Sequence, residues 1–159
     1  SINTVKITKK IILPDGSTYS TLETQGSGTN SLGLYEIFDC AGHRLSKENK
    51  LLEQDFYCNV ELSNNDSYTF FMKRSRTDID AGIGYIVIAG GTKPFDQIKN
   101  KKCKYAVSFF KDQAYVKIKC EVDEKFLNEV AKKNKHTFTS SSHFGGLYKF
   151  VEPSLYLFW

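Results

Sequence analysis

Arginine is scarce in this chain: Arg44, Arg74 and Arg76 stand against 19 lysines in 159 residues. The planar guanidinium is the fork that grips phosphate and guanine bidentately. Its scarcity argues against a dedicated nucleic-acid binder, despite a formal net charge of +4. Long apolar runs are missing too. The longest, residues 85–89 and 155–159, fall far short of the roughly 20 residues a membrane-spanning helix needs. A soluble protein without a transmembrane segment is expected. No Gly-x-Ser-x-Gly nucleophile elbow occurs, and Gly26-Ser27-Gly28 lacks the residues that would complete a phosphate loop. The cysteines show none of the tight pairs that mark structural zinc. No cofactor, no metal and no enzyme activity are expected. An initiator Met and a charged-then-apolar leader are also lacking, which reads as a mature, processed chain.

What is present suits a folded protein. Apolar residues make up 40% and charged residues 25%, so the chain can bury a core. Its length fits a single secreted β domain over 1–159. Four widely spaced cysteines, Cys40, Cys58, Cys103 and Cys120, suggest two disulfides and an oxidising compartment. Asn65-Asp66-Ser67 is an acceptor sequon for N-glycosylation in a polar turn.

Alternation of period two dominates the chain. Residues 3–13 place Val5, Ile7, Ile11 and Leu13 on one face, and Pro14-Asp15-Gly16 turns the chain into a strand over 17–24. Residues 25–31 read as a flexible loop. Residues 32–40, apolar on both faces, predict a strand with little solvent contact. Residues 41–54 lack periodicity and read as a loop or helical turn. Strands follow at 56–62, 68–73 and 83–89, with a loop over 90–102. If Lys111-Asp112 is a two-residue hairpin loop, opposed residues sum to 223; a four-residue loop would shift the register but keep the same faces. The two-residue register sets Tyr105 against Ile118, Val107 against Val116, and Cys103 against Cys120. A local Cys40–Cys58 bond is its counterpart, with long-range pairings left open. The period then changes: Val122, Phe126, Leu127, Val130 and Ala131 recur at helical spacing, and another strand candidate follows at 147–151.

Eight strands, one helix and a further strand give an order that resembles the lipocalins, within the calycin-like superfamily. The likeness is one of topology, since Gly-x-Trp on the first strand and Thr-Asp-Tyr between Gly90 and Cys103 are both absent. It implies a mainly β fold: an antiparallel eight-stranded barrel around a ligand, with a helix packed outside. The same strands could also build a two-sheet β-sandwich.

In a barrel, Phe70, Tyr105, Val107, Val116 and Ile118 share an inward face and would line a pocket for a small apolar or amphipathic ligand. Phe56, Tyr68 and Phe109 share those faces, and in a sandwich all of them would fill the core. Arg74 has the parity of Tyr68, Phe70 and Met72, which would set a cation near the mouth for an anionic ligand. A snorkelling side chain with its head in water is the bland alternative. Two basic clusters, Lys99–Lys101–Lys102–Lys104 and Lys73–Arg74–Arg76, could attract an acidic protein or glycan surface or simply protect strand edges. A protein- or glycan-binding module is therefore the second expectation. A small hydrolase or ribonuclease using His43 with His136 or His143 is the third.

Overall fold

The computed structural model describes residues 1–78, 81–111, 113–138 and 156–158. Eight antiparallel strands run in chain order: β1 (Ile2–Ile12), β2 (Thr18–Thr29), β3 (Tyr35–Lys47), β4 (Lys50–Leu62), β5 (Ser67–Asp78), β6 (Ala81–Gly91), β7 (Lys102–Phe110) and β8 (Gln113–Glu121). Pairing of β1 residues Ile2, Asn3 and Thr4 with Tyr115, Ala114 and Gln113 closes the sheet into a barrel. A short β9 (Tyr156–Phe158) adds to β8 beyond that seam. The fold is thus the barrel and not the sandwich.

Helix α1 (Glu124–Phe138) begins where the Asp123 carboxylate accepts a hydrogen bond from the Phe126 amide at 2.8 Å, an N-cap. Phe126 meets Phe95 edge to face at 5.4 Å, and Phe95 in turn stacks on Tyr68 at 4.8 Å. Phe95 belongs to a short 3₁₀ turn, Phe95–Ile98. Lys133 bonds the buried Asp66 carboxylate at 2.6 Å, and Asp66 also accepts from Thr92. The helix therefore lies against one end of the barrel, among the turns at 63–66 and 92–101.

Several expectations need correction. Residues 41–54 form the β3–β4 hairpin, turning at Glu48 and Asn49 with φ of 50° and 62°. Residues 25–29 continue β2 in place of a loop, paired to β3 through to Thr29↔Tyr35. On β3 the outward Tyr35 and Ile37 are exposed, at 69% and 59%, so that strand is not shielded on both faces. Ile7 and Ile11 are also exposed. The β1–β2 register shifts between Ile7 and Lys9, and β1 beyond Thr4 has no partner on its β8 side among the described residues. The strand candidate at 147–151 lies outside the described residues.

Both disulfides join adjacent strands within hairpins. Cys40 is bonded to Cys58 with Cα atoms 4.1 Å apart, and Cys103 to Cys120 at 4.6 Å. The β7–β8 register is the expected one, with Tyr105↔Ile118 and Val107↔Val116.

Candidate ligand-binding cavity

Inward side chains from all the barrel strands except β6 surround a cavity of about 50 Å³. Its walls include Phe38, Phe56, Phe70, Tyr105, Val116 and the Cys40–Cys58 disulfide. That volume accommodates about three or four waters, or a ligand of a few heavy atoms. Phe70, Tyr105, Val107, Val116 and Ile118, which parity put on one inward face, lie on this wall.

Arg74 is enclosed. It is 1% exposed, with its Nη2 donating to Gln54 Oε1 at 3.5 Å. Gln54 is its cross-strand partner, and Gln54 and Tyr105 present the cavity wall nearby. Neither a solvent-bathed head nor an open mouth describes this guanidinium. Gly84 makes room for the arrangement: a Cβ there would fall 2.5 Å from the Tyr105 ring. Burial pushes the Tyr105 hydroxyl well above its ordinary pKa, partly offset by the nearby charge of Arg74.

The opposite end holds a carboxyl group. Glu36 stands at the start of β3, opposite Leu62 and Gly28, and is 5% exposed. A Cβ on Gly28 would lie 2.9 Å from Glu36 Oε1, so glycine is what admits the side chain. Burial raises the Glu36 pKa to about 7. Burial also raises Tyr68 well above the usual phenol value, and the neighbouring Glu36 charge adds to it.

Among the described residues, four atoms of cavity-lining side chains are buried without a hydrogen-bond partner: Asn3 Oδ1, Thr24 Oγ1, Glu36 Oε2 and the Tyr105 hydroxyl. Each such atom costs about 1–3 kcal/mol unless something meets it. Asn3, Thr24, Glu36 and Gln54 were not among the sequence candidates. The signal for Glu36 was available, since it alternates in phase with Leu34, Phe38 and Cys40; the apolar Tyr35 and Ile37 on the other phase masked it.

The remaining candidates are scattered. Asn65 occupies an exposed turn with φ of 64°. His43 is on the outer surface, stacked on Tyr19 at 5.6 Å and opposite Asp55. Donor atoms of His43, Glu53 and Asp55 lie within 4.8 Å of one another. Lys73 already engages both carboxylates there, at 3.0 Å and 3.6 Å. His136 is carried by α1, and His143 lies outside the described residues. Lys102 sits over the Tyr85 ring at 3.9 Å, a surface cation–π contact. No helix among the described residues is long and apolar enough to cross a membrane.

The fold is that of a closed antiparallel eight-stranded barrel with an internal cavity, consistent with a lipocalin-like architecture. Comparison with protein-family models, with curated proteins and with solved structures finds no match to this chain.

Proposed function

We propose that the protein is a noncatalytic carrier for a small amphipathic molecule held inside a lipocalin-like barrel. The observation that carries this reading is the internal cavity, with apolar walls interrupted by buried polar atoms that lack partners. Sites that orient small molecules combine such features. The small volume favours a compact ligand over a long-chain lipid. Secretion is part of the proposal: two disulfides suit an oxidising compartment, and the exposed Asn65 turn suits glycosylation. In this reading Phe70, Tyr105, Val107, Val116 and Ile118 contact the ligand, and Arg74 acts on it through Gln54 and Tyr105.

Native mass spectrometry of protein purified from its source tests the carrier role. A stoichiometric small molecule, released on unfolding, is the expected result. Ligand-free protein that also binds nothing in a small-molecule screen would overturn it. A protein-binding module is the second reading, favoured by exposed Tyr35, Ile37 and Tyr57 on the outer face of β3 and β4. Capture of a macromolecule lost on Ile37→Ser, with an empty barrel, would move the assignment there.

A further inference from the structure

We infer that the molecule held in the barrel is a small organic cation, received by Glu36 at the helix-covered end and by Asn3 and Thr24 along the adjoining wall. This rests on the carrier reading and names its ligand class. Asn3 Oδ1 accepts only, an ionised Glu36 accepts only, and the hydroxyls of Thr24 and Tyr105 can accept as well. Their residues are 9%, 5%, 6% and 2% exposed respectively, so bulk water does not satisfy them. The two acceptor-only groups, Asn3 Oδ1 and Glu36 Oε2, have no donor within reach.

The placement is continuous. Thr24 lies on β2, Asn3 faces Gly26 two positions along, and Glu36 faces Gly28 two positions further. A molecule lying along this wall would meet the three acceptors in turn, with Phe38 and the Cys40–Cys58 bond forming apolar sides. The charged and titratable groups near Glu36 are the Tyr68 hydroxyl and the Ser1 amino group. The Ser1 amino group donates to the Val116 carbonyl at 3.0 Å, and no hydrogen bond reaches Glu36 Oε2. An ammonium ligand supplies three donors together with the charge that a buried carboxylate needs. A neutral alcohol supplies one donor. A carboxylate supplies none and would set a second negative charge beside the first.

Calorimetric titration of the disulfide-intact full chain at pH 7.5 with butylamine, butan-1-ol and butyrate provides the test. Butylamine should bind at least tenfold more tightly than butan-1-ol, and butyrate should not bind. Glu36→Gln should weaken butylamine at least tenfold and leave butan-1-ol within about twofold. If that variant does not fold, the wild type is titrated between pH 5.5 and 7.5 instead. Over this range Glu36, with its pKa raised to about 7, loses its proton while Tyr68 keeps its own. Butylamine affinity should then rise with pH and butan-1-ol affinity stay flat. Equal affinity for amine and alcohol, or equal losses in the variant, would overturn the cation and leave the carrier intact. Binding of none of the three, with water alone in the cavity, would overturn both.

Discussion

The two ends of the barrel interior each bury one charged side chain, and they treat it differently. Arg74, at 1% exposure, is tied to Gln54 across the strand pair and lies within electrostatic reach of Tyr105. Glu36, at 5%, has an oxygen that no hydrogen bond reaches, and it sits beneath the Tyr68–Phe95–Phe126 stack. A buried ion held by a hydrogen bond across a strand pair is part of the scaffold; a buried carboxylate oxygen that no hydrogen bond reaches awaits a partner or carries a proton. Burial alone does not distinguish the two. The hydrogen bonds do.

The largest expected effect concerns the aromatic belt between the ends. Phe70→Ala should destabilise by roughly 3–5 kcal/mol in denaturant melts, because Phe70 is 5% exposed and packs into the main core cluster. A much smaller loss would mean that the belt is loose and the two ends communicate freely.

The carboxyl end should then reveal itself through pH. Folding lifts the Glu36 pKa from 4.5 to about 7, so the folded chain holds this proton more tightly than the unfolded chain. Its contribution is most favourable below pH 4.5, is lost as pH rises towards 7, and levels off above. The change is on the order of 3 kcal/mol. Glu36→Gln should flatten this part of the profile and stabilise the protein above pH 7. Parallel wild-type and variant profiles would remove the contrast between the ends.

At the guanidinium end the sign reverses. Arg74→Met should destabilise by about 2 kcal/mol at every pH from 5 to 8, since Gln54 Oε1 loses a buried donor. A stabilising result would mean that the bond to Gln54 does not offset the cost of burying the guanidinium. The smallest effect falls on the cover. Lys133→Ala removes the bond from α1 to Asp66 and should cost about 1 kcal/mol, because Lys133 is half exposed and Asp66 keeps Thr92. Faster amide exchange confined to α1 and residues 63–66 would be its signature.

Much of the barrel was legible in the residues. Clean alternation in 56–62 and 103–120 marked the inward faces whatever the loop length, and the two-residue form of the hairpin loop set Cys103 opposite Cys120. The rest was hidden for physical reasons. Residues 41–54 carry charge on the outward phase and Gly42, Arg44 and Gln54 on the inward one, which erases the apolar signal of a strand. Residues 25–29 looked like a loop because of Gly26 and Gly28, yet these glycines let Asn3 and Glu36 approach the wall. Glu36 itself was invisible to a search for apolar pocket residues. Polar groups facing inward are the ones such a search discards.

The order of strands in the sheet is the order of strands in the chain, and one pairing breaks that rule: β1 with β8. Every other pair of neighbours in the barrel is consecutive along the chain, β6 and β7 being linked through the 3₁₀ turn. The molecule therefore resembles a bracelet with one clasp, made of three residue pairs between Ile2–Thr4 and Gln113–Tyr115. Closing that clasp fixes a loop of more than a hundred residues, and its entropic cost grows only with the logarithm of length. Each hairpin can form without the clasp, while the enclosed volume exists only with it. Amide exchange at Val116, whose N–H donates to the Ser1 carbonyl at 3.1 Å beside the clasp, then reports whether an inside exists at all, independently of how much of the β7–β8 hairpin has formed.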